Sequence, residues 1–328
     1  YGFYSAFNTN AIKDFQLYKG GYEAKFGGRL SSVTEITGKE GNQNKFNMGV
    51  DISLLSLNGF IEIPIKKKFT SVITYRRSYK GLLYNKIFDK LNGNSTKKET
   101  NETGMRRGPT QNTQINSFFY DLNGKFSYHL SDNDILSLSV YNGTDKLDNS
   151  SSMDMPNMGS SSSSTFNSSS TDYTKYGNVG SSLKWYKKWN DKLYGNHLLT
   201  YSNYFSSRER SQERTITDSS GESSTSKSGV FENNDLYDFS FKTDYQWEIL
   251  KHCQLQFGSF LSNIKIAYDY AQSDTASLLN KNDQGVLAGG YLQTKIKFLN
   301  EKLVFLPGVR TTYFDPTGKL YYEPRFSM

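Results

Sequence analysis

From Tyr237 to Trp247 the chain alternates strictly between two kinds of residue. Tyr237, Phe239, Phe241, Thr243, Tyr245 and Trp247 share one parity, while Asp238, Ser240, Lys242, Asp244 and Gln246 share the other. Successive side chains leave a β-strand on opposite sides, so this segment has one greasy face and one wet face. Residues 118–130 repeat the pattern, with Phe118, Tyr120, Leu122, Phe126, Tyr128 and Leu130 against Asp121, Asn123, Lys125, Ser127 and His129. In 290–298, Leu292, Thr294, Ile296 and Phe298 oppose Tyr291, Gln293, Lys295 and Lys297. Strands of about ten residues or more are long enough to cross a bilayer at a tilt.

The connections decide what such strands build. After strands over 44–54 and 56–64 comes a tight turn at Lys66-Lys67-Lys68, then a strand over 69–77 and a long polar stretch, 78–115. Further tight turns are expected at Ser131-Asp132-Asn133, Asn190-Asp191, Leu250-Lys251-His252 and Asn300-Glu301. Between them lie long stretches at 144–173 and 207–230, a medium loop at 272–284 and a short one near Pro316-Thr317-Gly318. Alternation of short turns with longer loops is the pattern of outer-membrane barrels, whose periplasmic turns are short. A soluble β-sandwich is the rival, but sandwiches rarely carry long loops at one end only.

Composition agrees. Hydrophobic residues make up only 35% of the chain, and no apolar run approaches the ~18 residues that a membrane helix needs. A barrel hides within such numbers because only alternate residues meet lipid. The 24 Tyr and 22 Phe suit interfacial belts, and Tyr128, Trp185, Trp189, Tyr194, Tyr245, Trp247 and Phe298 all fall near the tight turns. A single cysteine, Cys253, excludes an internal disulfide and a cysteine-based metal site. The net charge of +7 is scattered among acidic residues, which argues against nucleic acid as a partner.

The first forty residues are of another kind. They run Tyr18-Lys19-Gly20-Gly21, then Phe26-Gly27-Gly28-Arg29-Leu30-Ser31-Ser32-Val33, then Thr37-Gly38-Lys39-Glu40-Gly41-Asn42. Gly20, Gly21, Gly27 and Gly28 permit positive φ and close backbone approach. Leu17, Phe26, Leu30, Val33 and Ile36 are expected to form a small core, with Lys19, Glu23, Lys25, Arg29 and Glu35 toward a polar lumen. A phosphate loop is excluded, because no Gly-Lys-Ser/Thr follows.

This stretch resembles the closing part of the plug domain of TonB-dependent outer-membrane receptors, in the style of Bacteroidetes sequences. Phe26 stands where that family commonly has Tyr, and Gly38 intervenes between Thr37 and Lys39. Two later stretches are similar to the same family in the same order: Tyr75-Arg76-Arg77-Ser78-Tyr79, and Pro307-Gly308-Val309-Arg310 followed by Tyr321-Tyr322-Glu323-Pro324-Arg325.

The resemblance implies an all-β fold: a transmembrane antiparallel β-barrel carrying about 12 strands out of an expected 22 or so, with the end of an N-terminal plug. Residues 1–42 would close the plug and residues 43–328 would form the N-terminal half of the barrel. Both chain ends, Tyr1-Gly2-Phe3-Tyr4 and Glu323-Pro324-Arg325-Phe326-Ser327-Met328, read as cuts through a longer protein. The implied function is import of a scarce nutrient such as a siderophore, cobalamin, glycan or peptide. The implied location is the outer membrane, among its lipids. The implied partners are the TonB-ExbB-ExbD energising complex and, in some relatives, a surface lipoprotein. No cofactor is expected. Arg29 and Glu35 in the plug, and Arg76 or Arg77 in the wall, are the candidate plug–barrel contacts. Arg76 and Arg77 are neighbours on a strand and point to opposite faces, so at most one can meet the plug directly.

The alternatives are a passive porin and a surface adhesin barrel. A porin lacks a plug, so residues 8–42 discriminate. An enzyme needs a base beside a nucleophile or water. His129, His197 and His252 are instead dispersed near tight turns, and neighbouring His252 and Cys253 point apart on a strand. Met153, Met155 and Met158 offer a weak soft-metal site within a serine-rich stretch. Lys97, Lys98, Arg106 and Arg107 give the 78–115 stretch a basic character suited to an anionic ligand or lipopolysaccharide phosphate.

Overall fold

The structure is a computed structural model and describes residues 7–28, 31–53, 56–66, 68–79, 110–113, 116–155, 165–218, 220–273, 276–299 and 302–328. A short leader comes first: a 3-10 turn (Thr9–Ala11), then β1 (Ile12–Tyr18) and β2 (Val33–Gly38), which pair antiparallel as their own two-stranded sheet. Everything after it is one large antiparallel sheet. Its strands are β3 (Asn47–Ile52), β4 (Ser56–Ile65), β5 (Phe69–Ser78), β6 (Thr110–Thr113), β7 (Asn116–Ser131), β8 (Asp134–Asp148), β9 (Ser151–Met155) and β10 (Thr165–Lys188). They continue with β11 (Leu193–Thr217), β12 (Ser223–Leu250), β13 (Cys253–Gln272), β14 (Ala276–Phe298), β15 (Leu303–Phe314) and β16 (Lys319–Ser327). Twelve of them follow one path in chain order from β3 to β16, while β6 and β9 pair with each other above β7 and β8. Among the described residues no helix is long and apolar enough to cross a membrane, which leaves strand crossing untouched.

The two faces separate as the alternation requires. Phe239, Phe241 and Trp247 on β12, Leu261 on β13 and Leu292 on β14 are exposed on one face, Phe239 at 52%. On the other face Ser240 is 2% exposed, and its hydroxyl pairs with that of Ser262 at 2.7 Å. The leader lies on this polar face and reaches both ends of the sheet path, with Ala24 bonded to Gln293 on β14 and Glu40 bonded to Thr70 on β5. One short leader can touch both only if the sheet curves around it.

The tight turns at 132–133, 189–192 and 251–252 lie where the sequence puts them. The connection at Asn300-Glu301 lies outside the described residues, as do Lys67, nearly all of the 78–115 stretch including Lys97, Lys98, Arg106 and Arg107, and Arg29, Leu30 and Met158. The long stretches need correction. Residues 144–173, 207–230 and 272–284 are largely strand: β8 runs on to Asp148, β10 starts at Thr165, β11 and β12 meet across 218–222, and β13 and β14 across 273–275. These segments are rich in Ser, Thr, Asn and charge, so no apolar periodicity marks them. The ladder is carried instead by backbone hydrogen bonds and polar cross-strand pairs such as Thr215 with Thr225 (3.1 Å) and Thr217 with Ser223 (2.9 Å).

At the tight-turn end the greasy face carries an aromatic cluster. His197 stacks on Trp185 at 4.9 Å and meets Trp189 and Tyr245 edge-on, and Tyr245 stacks on Phe257 at 5.0 Å. Trp185 donates its indole N–H to Asp134, which also holds Lys187 at 3.1 Å. Rings with polar edges and a lysine beside them suit the level where lipid meets water.

Candidate interface between the leader and the sheet

Three patches fasten the leader. The largest is on β14–β16. Arg310 sits on the polar face of β15, and its Nη1 donates to the carbonyls of Lys25 (2.9 Å) and Ala24 (3.5 Å). Its guanidinium lies 3.9 Å from the centre of the Phe260 ring, and its Nε is 3.8 Å from Glu323. Arg325 on β16 donates from Nη1 to the carbonyl of Glu23 (3.0 Å) and from Nη2 to Glu323 (2.9 Å), and covers the Tyr22 ring at 4.7 Å. The Ala24 N–H donates to Gln293 Oε1 at 2.6 Å, and the Gln293 amide in turn donates to Gln256. Ala24 is fully buried. Two glycines make room for it all: the Ala24 Cβ lies 3.2 Å from where a Cβ on Gly308 would stand, and a Cβ on Gly27 would overlap the Arg310 side chain.

The second patch is at Glu40. Its carboxylate pairs with Lys125 and accepts from the Ser127 hydroxyl (3.0 Å), and its carbonyl accepts from Thr70 (2.8 Å). Gly41 follows at φ +83°, where a Cβ would come 2.8 Å from the Ser71 carbonyl oxygen. The third patch is at the start of the leader. Arg76 pairs with Asp121 at 2.5 Å and reaches the Phe7 carbonyl at 3.5 Å, and Asn10 donates to Asp51 at 3.0 Å.

The geometry places each residue singled out from sequence. Arg76 faces the leader. Arg77 faces the opposite way, its guanidinium 5.0 Å from the Phe118 ring centre. Glu35 meets partners inside the leader: Lys25 at 3.9 Å and the Tyr18 hydroxyl at 3.3 Å. Burial works to lower the Lys25 pKa, but Glu23 at 3.1 Å and Glu35 outweigh it and hold the ammonium above the ordinary lysine value. Of the four glycines, Gly21 and Gly28 have positive φ, at 62° and 70°, and Gly27 gives clearance. Among the described residues the small core expected in the leader does not form: Leu17 is exposed and Phe26 packs on Tyr18 at 5.7 Å. The leader is stabilised by polar bonds to the sheet, which leave its apolar residues little to pack on. Arg310, Glu323 and Arg325 carry the main patch. The sequence marks them through two stretches of family resemblance, but neither composition nor spacing gives them a contact.

Where β8, β10 and β11 face the leader, the sheet offers mostly small hydroxyl groups, with Tyr141 of β8 beside them. Ser139, Ser182, Thr200 and Ser202, with Lys39 and Thr74, line a cavity of about 350 Å³ between leader and wall.

No protein-family model matches this chain, and no curated protein matches it in sequence. Among solved structures, the siderophore receptor PiuA from Acinetobacter baumannii aligns with 92% of this chain and 54% of its own, at 9% identity and a TM-score of 0.42. The chain thus spans about half the length of PiuA. The ferric-catecholate import receptor Fiu from E. coli K12, in its open form, aligns with 97% of this chain and 67% of its own, at 9% identity and a TM-score of 0.35.

Proposed function

We propose that this chain is part of a TonB-dependent outer-membrane receptor that imports a scarce nutrient. Residues 1–42 form the closing part of its plug and residues 43–328 the first half of its barrel. One observation carries the reading: Arg310, Arg325 and Gln293 hold the leader's backbone on the polar face of the sheet, while the opposite face exposes Phe239, Leu261 and Leu292. A barrel with a polar bore and a greasy wall, occupied by a polar-bonded insert, is a gate. Its plug contacts are hydrogen bonds and ion pairs, which water can replace when the insert moves. The work is binding and passage, with TonB-ExbB-ExbD supplying the force. Siderophore, cobalamin, glycan and peptide are the cargo classes to be screened, with or without a surface lipoprotein.

The test is a lock. In a Cys253→Ser background, Ala24→Cys and Gly308→Cys bring two Cβ atoms close enough to bridge. The full-length protein, expressed in cells deleted for the native copy, should support growth on the responsive iron or glycan source under reducing conditions. Oxidation should cross-link it and stop uptake. Uptake that continues at full rate with the bridge formed, or no growth or uptake phenotype across the nutrient panel, overturns the reading.

A further inference from the structure

β11 carries the heptapeptide Arg208-Glu209-Arg210-Ser211-Gln212-Glu213-Arg214. Its pairing with β10 and with β12 runs in unbroken register from Leu193 to Thr217 on the β12 side and from Tyr194 on the β10 side. Parity is therefore conserved along the whole strand. Thr200 pairs with Ser240, which lies on the polar face that carries the leader, so even-numbered residues of β11 face inward. All three arginines are even and both glutamates are odd. The strand sorts its charge by face, cations over the leader and anions outward.

The inward face there is also shaped. Ser151 and Met153 of β9, Phe166, Ser168 and Ser170 of β10, and Gln212 and Arg214 of β11 line a cavity of about 300 Å³. Arg214 is oriented within it: its Nη2 donates to Gln212 Oε1 (3.3 Å), whose Nε2 donates to the Ser168 hydroxyl (3.4 Å). Lower on the strand Arg210 is paired with Asp172 at 3.4 Å, and the Arg208 Nε is buried with no hydrogen-bond partner.

We propose that this face is a recognition site for a small anionic solute with an apolar body. Arg214 binds its carboxylate or phosphate oxygens, the Ser168 and Ser170 hydroxyls complete the shell, and Phe166 and Met153 hold the apolar part. A planar guanidinium matches such oxygens two at a time. The proposal rests on the receptor reading and narrows its cargo to anions. It gives Met153 a packing role in place of a metal-binding one.

The experiment is calorimetric titration of the full-length, detergent-solubilised protein with citrate and with isophthalate, glucose serving as neutral control. The native protein should bind at least one anion and not glucose. Arg214→Gln should weaken that binding by about tenfold or more. Glu209→Gln/Glu213→Gln, on the other face of the same strand, should bind as the native protein does and controls for folding. The idea is overturned if the native protein binds neither anion, if the arginine variant binds unchanged, or if the glutamate variant loses as much. Binding is read without energised transport. Anion binding with an unaffected lock assay would sink the receptor reading alone, and a working lock without anion binding would sink this inference alone.

Discussion

Below and above the level of Asn203, β10, β11 and β12 keep the same geometry and carry different chemistry. At that level and below it the outward residues include Leu183 and Val179, Leu199 and Tyr201, Phe241 and Phe239; above it they include Lys175, Ser207, Glu209, Glu213 and Asp235. The strands do not end at the change. They contain 24, 25 and 28 residues, more than twice the ~9–11 that a tilted crossing requires. Backbone pairing sets where a strand can run, and solvent sets which side chains each stretch may show. On the proposed barrel reading the lower half meets lipid outside and water inside. On the proposed barrel reading the upper half stands clear of lipid, with water on both sides, and its alternation sorts charge instead of polarity.

Substitutions probe that comparison, beginning with the largest effect. Phe241→Arg, outward and about midway up the lower half, should cost about 2–4 kcal/mol in urea unfolding from lipid vesicles, as a charge on the lipid face does. A cost near zero would mean that this face is not in lipid. Arg310→Ala should cost about 2–3 kcal/mol by leaving the Lys25 and Ala24 carbonyls without their buried charged donor. It should also raise protease cleavage of the leader, while Arg77→Ala, on the opposite face, should not. Gly41→Ala should cost about 1–2 kcal/mol, from a strained positive φ and from crowding the Ser71 carbonyl. Glu213→Arg, outward in the upper half, should change stability by less than about 0.5 kcal/mol, as exposed sites generally do. A penalty as large as that at Phe241 would place the upper half in the membrane too and erase the distinction.

The lower half was legible in sequence because an apolar face and a polar face imprint a period of two on the strand: Phe239 and Ser240 announce their faces by residue type alone. The tight turns were legible for a similar reason, since Ser131-Asp132-Asn133 and Leu250-Lys251-His252 interrupt that period. The upper half read as loop because Ser223-Ser224-Thr225 and its neighbours have no apolar rhythm. Its one sign of order was the alternation of Arg208, Glu209 and Arg210, a period of two written in charge. The interface was less legible still. Glu35 and Arg310 are both charged residues near glycines, and only the curvature of the sheet decides which of them meets the other body. Residue type cannot report curvature, because it arises from the twist summed over many strands.

The most direct measurement is a spin-label scan along β12, one label at a time from 236 to 247, in lipid vesicles with the full-length protein. Collision with dissolved oxygen should peak at 237, 239, 241, 243, 245 and 247, and collision with a water-soluble nickel chelate should not. The even positions should be shielded from oxygen by the leader and the polar bore. A profile with no two-residue period, or one with the opposite phase, would contradict a sheet that turns its greasy face to lipid and its polar face to the leader.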